Sequence, residues 1–281
     1  PTSTESGLFL AVDNKTGTGW RSNGRFNSTT VHMNGVQSIG DALTVREHLS
    51  YMTRVEQQPG GLTEALFASS PRLSTRNRNW FSVDWFVGGI GVDYQVTSSW
   101  KLNADVSAVI ANRNSVGFLG TPDRIDLGGE RGLITANFNS ISWDVRGTRS
   151  WKSNVSGRLN ALLIGSQGLR GDNRMRQGWA NDSEDSNFTF IESLVGESSD
   201  TNFPNFQESL FAQGIIGASP RFSLTPGIRC ERIRTSMDGE YRAVATDLNG
   251  NFLEDSIFRT SDARNRVVFL PGIGFSWKDG S

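Results

Sequence analysis

Of the 28 basic residues in this chain, four are lysines (Lys15, Lys101, Lys152 and Lys278) and the other 24 are arginines. Arginine presents a planar fork of N–H donors that fits a carboxylate or phosphate, and it stays charged when partly desolvated. The chemistry on offer is therefore non-covalent capture of an anion. Arg113 is the clearest single candidate. It shares the polar parity of the alternating segment Trp100 to Arg113 and stands where that segment runs out into a loop. A fixed cation there could hold an anionic ligand in a partly dry cavity. The plain alternative is a structural arginine paired across a polar interior. Arg124 and Arg131 follow in the same connection, and Arg170, Arg174 and Arg176 cluster in the longest one, where they read as a solvated charge run.

Other chemistries find little support. One cysteine, Cys230, excludes an internal disulfide, and its parity with Phe222, Leu224 and Ile228 marks it as a small apolar residue on a buried or lipid face. His32 and His48 read as ordinary strand residues, too few for a histidine-built metal centre. Asp247 to Asn251 lacks the ligand set of a calcium loop and reads as a turn. There is no nucleophile elbow, no phosphate-cradling glycine loop and no defensible acid/base pair of carboxylates, so an enzyme is not expected. A net charge of -1 argues against a nucleic-acid partner.

The elements that would position the arginines are strands. Trp100, Leu102, Ala104, Val106, Ala108 and Ile110 share one parity, whereas Lys101, Asn103, Asp105, Ser107 and Arg113 share the other. The preceding segment alternates likewise, with Ile90, Val92, Tyr94 and Val96 on one face. About ten strands are expected, near 7–12, 29–37, 42–54, 85–97, 99–112, 141–151, 155–165, 206–217, 221–234 and 266–277. Short turns alternate with long connections near 55–84, 113–140, 166–205 and 235–265. Thr63 to Phe67 could form a helical turn.

Short turns on one side, long loops on the other, and one apolar face are the pattern of a membrane β-barrel. Mean hydropathy is -0.38 and no run is long enough for a helical span, which a barrel does not need. Tyr94, Trp100, Trp151, Phe222 and Trp277 beside short turns, with Trp80, Phe81 and Trp85 at a loop re-entry, fit two interfacial girdles. The fold expected is all-β: an antiparallel up-and-down transmembrane β-barrel, here a partial barrel of about ten strands with long external loops. Residues 1–281 are expected to be one part of a single barrel domain, with further strands on each side, because hydrocarbon does not tolerate open edges.

The stretch QQPGGLTEALFASSPRLSTRNRNWF, Gln57 to Phe81, resembles the first large barrel loop of TonB-dependent outer-membrane receptors of the ferric-citrate type. RNSVGFLG (Arg113 to Gly120), NFPNFQESLFAQ (Asn202 to Gln213) and FSLTPGIRCERIRTSMDGEYR (Phe222 to Arg242) resemble later strands and loops of that family, in order. The resemblance implies active uptake of a ferric chelate through a plugged barrel in the outer membrane of a Gram-negative bacterium. An inner-membrane energy-transducing complex would act on the plug through TonB. The partners implied are a ferric chelate, the TonB complex by way of a plug domain outside this chain, and outer-membrane lipid. No resident cofactor is implied, since iron enters only within the chelated cargo.

On this resemblance Arg113 aligns with an arginine that contacts the citrate carboxylates, and Arg124 or Arg131 corresponds to a second ligand arginine. A third is expected before the strand near Phe206, where this chain reads Ser198 to Asn202 without one, which points away from citrate and leaves another ferric chelate open. The alternatives from other classes are a porin, a TonB-dependent receptor for a non-iron cargo, and a soluble β-rich surface adhesion module.

Overall fold

The structure, a computed structural model, describes residues 6–278 apart from positions 155, 194, 195 and 250. Ten strands run in chain order: β1 (Ser6–Gly17), β2 (Phe26–Ile39), β3 (Leu43–Gln57), β4 (Trp80–Thr97), β5 (Trp100–Gly117), β6 (Arg131–Lys152), β7 (Leu159–Ala180), β8 (Ser198–Gly217), β9 (Phe222–Thr246) and β10 (Phe252–Trp277). Each pairs antiparallel with the next in one sheet of order β1 to β10, so β1 and β10 are its two edges. One short helix, α1 (Glu64–Ser69), follows β3, and Thr63 caps it by accepting the Leu66 N–H at 3.2 Å.

The expected strand number, order and short turns match this architecture. The long connections alternate with them as expected, but all except 58–79 are much shorter than expected. β6 begins at Arg131 and β7 ends at Ala180, and only five residues, 247–251, join β9 to β10. Arg170, Arg174 and Arg176, read above as loop residues, therefore lie on β7. The physical reason is that the outer half of β7 is polar on both faces, whereas that of β6 has apolar residues on both, Leu133 on one and Ile134 and Phe138 on the other. Alternation disappears while the backbone ladder continues, as in the unbroken pairing of Ile233↔Arg266 through Arg242↔Ile257.

Register defines two faces. One carries Ile90, Val106, Ile141, Ile164, Leu210, Ile228 and Phe269, and it is open: Ile90 is 57 % exposed, Leu210 59 % and Phe269 66 %. Cys230 lies on this face, opposite Leu210 and Phe269, as its parity predicts. The other face is a polar lattice. Ser107 and Ser142 hydroxyls share a hydrogen bond at 2.7 Å, Arg146 pairs with Asp144 at 2.7 Å, and Arg229 donates to Ser209 at 2.8 Å. Gly89 opens this face for His48, whose Cε1 lies 2.4 Å from where a Cβ would stand.

The apolar band steps across the strands. Along one register row Ile90, Val106 and Trp143 are followed by Gly168, Glu208 and Arg232. A row that is apolar on β4 to β6 is thus charged on β8 and β9, as expected if the strands are tilted relative to a level boundary.

At the outer end of the same face the band gives way to a closed cluster. Trp80, Val116, Leu133 and Ala180 are buried, with Val55, Phe188 and Phe190 packed against them. The Trp80 indole N–H donates to the Glu184 carbonyl at 2.8 Å, so the segment after β7 folds back over β4, β5 and β6. Trp80 is thus a covered core residue and not an exposed girdle aromatic. Trp85 lies on the polar-parity face, its ring 6.4 Å from that of Phe138. Leu133→Ala should cost about 3 kcal/mol of local stability. Amide hydrogen exchange should show this as faster exchange around Phe188 to Ile191, with the β9–β10 ladder unchanged.

Candidate functional site

The segments at the outer end of the sheet are joined by arginines whose donors are taken up by backbone carbonyls. Pro59, Gly60 and Gly61 form the first node. The Pro59 carbonyl accepts the Thr75 N–H at 2.9 Å, and the Gly60 carbonyl accepts Arg21 Nη1 at 2.6 Å. Gly60 has φ +76, and a Cβ there would stand 2.5 Å from both Arg76 Cγ and Thr75 Oγ1. Only glycine fits this left-handed, crowded position.

Arg76 is the second node. It is 3 % exposed, and its guanidinium donates to the carbonyls of Thr75, Gly120, Thr121 and Arg124 between 2.7 and 3.0 Å. Its Cζ sits 4.7 Å from the Phe118 ring centroid. Arg78 is the third. It grips Asp126 through two N–H donors at 3.0 and 2.6 Å, reaches Asp182 at 2.6 Å, and donates to the Gly129 carbonyl at 2.9 Å. The Arg78 fork holds the Asp126 carboxyl below its ordinary range, against the opposing effect of burial. In turn, donating to the Asp126 carboxylate raises the Arg78 pKa.

Arg131 is the fourth node, and it is fully buried. Its five N–H donors go to the Asn181 carbonyl, the Arg78 and Asp185 carbonyls, the Asn181 side-chain oxygen and the Ser183 hydroxyl, between 2.7 and 3.3 Å. No N–H remains for a ligand. Arg131 fastens the start of β6 to the segment after β7.

Arg113 stands elsewhere. It lies on the polar-parity face of β5, opposite Val83 and Ala136, whereas Arg131 has the other parity of the adjoining strand. Arg113 is exposed, and among the described residues its guanidinium has no hydrogen-bond or ion-pair partner. The register row below it carries Trp85, Ala111, Phe138, Asn173 and Phe203. Arg124 is exposed in the 118–130 connection, its backbone fixed by Arg76 and by a bond to the Thr121 carbonyl at 3.0 Å. The three arginines thus do not converge. Arg113 presents an exposed cation with no carboxylate partner among the described residues, Arg124 is exposed beside the Asp123 carboxylate that it helps to hold ionised, and Arg131 organises the backbone between segments.

The fold as a whole is similar to that of known solved structures. A ferric citrate transporter, FecA, in its unliganded form superposes with a TM-score of 0.66 over 97 % of this chain and 37 % of its own, at 16 % identity. The ferric-catecholate import receptor Fiu from K12 E. coli, in a closed form, gives 0.64 over 97 % and 44 % at 12 % identity. The ferric yersiniabactin uptake receptor FyuA from Yersinia pestis gives 0.62 over 95 % and 39 % at 10 % identity. This chain has the fold of part of the barrel of these receptors. It spans less than half the length of each of these receptors. No protein-family model matches the sequence, and no curated protein matches it.

Within the receptor-barrel fold, the stretches that carry the resemblance fall on coherent elements. Gln57 to Phe81 spans the end of β3, α1 and the start of β4, Asn202 to Gln213 lies in β8, and Phe222 to Arg242 lies in β9. The arginine-free stretch Ser198 to Asn202 opens β8. Arg76 and Arg78 carry more of the geometry than sequence reasoning assigned them. Their one local signal is the Arg-Asn-Arg-Asn run directly before Trp80, since nothing in the sequence says which carbonyls will surround them.

Two outcomes follow from the third node. Asp126→Asn should leave Arg78 buried with its main partner weakened, costing about 3 kcal/mol of loop closure. This is measurable as faster proteolytic nicking within 118–130 at neutral pH. Because the folded Asp126 pKa is depressed, the unmodified pair contributes fully above the unfolded carboxylate value, near about 4. That contribution disappears only as pH falls through the lower folded value, so nicking of the unmodified protein should rise only in strong acid.

Proposed function

We propose that this chain is a section of the wall of an outer-membrane receptor that takes up a ferric chelate by TonB-dependent active transport in a Gram-negative bacterium. The observation that carries this reading is the combination of an open apolar band with a receptor-barrel fold covering 97 % of the chain. A contiguous apolar surface of that size on a soluble protein would drive aggregation, whereas lipid accepts it. The structural neighbours are transport receptors rather than enzymes. The working protein would need the plug that engages the TonB complex and further strands to complete the barrel, beyond residues 1–281. Iron enters as part of the cargo, not as a resident cofactor.

In this reading Arg113 is the principal ligand arginine, with Arg124 a second contact on the loop rim, and Arg131 acts indirectly by holding the rim segments. Arg113 projects from the polar-parity face, so an approaching anion meets a guanidinium with no competing carboxylate partner among the described residues. Trp85, Phe138 and Phe203 on the row beneath favour a chelate that carries aromatic rings over citrate, whose small polar surface they would not match. The absence of arginine from Ser198 to Asn202 supports the same preference.

Arg113→Ala in the intact receptor should weaken binding of the ferric chelate about tenfold, the loss of one charge-assisted bond. Arg113→Lys should fall between. Unchanged affinity in a direct binding titration would remove Arg113 as a ligand. Arg131→Ala should instead loosen the rim, seen as faster hydrogen exchange at residues 181–185 even without chelate.

A further inference from the structure

The apolar-parity face carries a second cluster of arginines. On β7 to β10 seven arginines share this face: Arg170, Arg174, Arg176, Arg232, Arg234, Arg242 and Arg259. The four farther out are paired. Arg174 and Arg176 meet Asp200, Arg242 meets Asp255 at 2.9 Å, and Arg259 meets Glu240 at 3.9 Å. The inner three, Arg170, Arg232 and Arg234, are exposed and have no hydrogen-bond or ion-pair partner among the described residues. Glu208 stands opposite Arg232 in the register and Asp172 follows Arg170 by two positions, yet neither forms an ion pair with them.

The place of these three is defined by what lies around them. Arg170 and Arg234 flank Phe206 in one register row. The Phe206 ring lies 6.1 Å from that of Trp143, whose indole N–H donates to the Ser166 hydroxyl at 3.3 Å. Trp143 can lie across β7 because residue 168 is glycine, where a Cβ would stand 2.1 Å from its ring. Aromatic rings with one polar edge settle at the boundary between hydrocarbon and headgroups. Directly below, Val145, Ile164, Leu210, Ala212, Ile228 and Cys230 line an open apolar groove. Apolar groove, aromatic boundary and unpaired arginines thus follow one another up one face.

We propose that Arg170, Arg232 and Arg234 bind the phosphate of an anionic membrane lipid whose acyl chain lies in the groove below. This rests on the membrane reading given above. Guanidinium forks match phosphate oxygens bidentately, and only an amphiphile fills both halves of the site.

The test is made on the intact receptor in phosphatidylcholine nanodiscs containing spin-labelled phosphatidic acid or, as the uncharged comparison, spin-labelled diacylglycerol. The unmodified protein should favour phosphatidic acid about fivefold over phosphatidylcholine. The R170Q/R232Q/R234Q variant should reduce this to near parity, and R174Q/R242Q, which alters paired arginines higher up, should leave it. An equal preference in the triple variant overturns the site. Abolition by inorganic phosphate, but not by chloride at the same ionic strength, reassigns it to the free anion and overturns the lipid assignment. On the unaltered protein, phosphatidic acid with a photoreactive acyl chain should crosslink to peptides holding Leu210, Ile228 and Cys230, and crosslinks confined to other strands overturn the proposal without any variant. Failure of the unmodified protein to enter nanodiscs at all overturns the membrane reading itself, and this site with it.

Discussion

The backbone ladder is the constraint on which everything else here depends. Antiparallel pairing ties each strand to its neighbours along most of its length, and the register is almost free of slips from β1 to β10. A single-residue slip would exchange the apolar and polar faces of a strand. The lattice of Asp105, Ser142, Asp144, Gln167, Ser209 and Arg229 exists only because the register holds them on one side. The same register puts Arg113 on that side and Arg131 on the other.

A second level of order comes from arginine acting on carbonyls. The outer segments contain few regular elements, so their backbone acceptors need other donors. Arg21, Arg76, Arg78 and Arg131 supply these, mostly as charge-assisted bonds. Burying a guanidinium is costly unless its donors are bonded, and Arg131 meets that condition with all five. The arginine-rich composition therefore serves different ends. Some guanidiniums are structural and sealed, and others, Arg113, Arg170, Arg232 and Arg234 among them, are exposed and have no hydrogen-bond or ion-pair partner among the described residues.

Much of the fold was legible because period-two alternation is a local signal. The strand order, the short turns and the side occupied by Cys230 follow from residues within ten positions of one another. The outer strand extensions were illegible for the opposite reason. In β7 the run from Arg170 to Arg176 is polar on both faces, so no alternation marks it, and it is a strand because β6 and β8 pair with it. Trp80 misled in a related way. An aromatic residue at a strand end reads as interfacial until the returning segment at Glu184 is seen to cover it.

The candidate site divides along the same line. The sequence by itself determined that this chain is a set of amphipathic strands, that its chemistry rests on arginine, and that Arg113 shares the polar parity. Those are properties of residue type and near spacing. The tertiary structure alone decided which arginines are free. Arg124 and Arg131 are seven positions apart, yet one is exposed and the other sealed, because the partners of Arg131 come from Arg78 and from Asn181 to Asp185, some fifty residues away on either side. Electrostatic availability depends on what long-range folding brings within hydrogen-bonding reach, and a linear pattern carries no record of that distance.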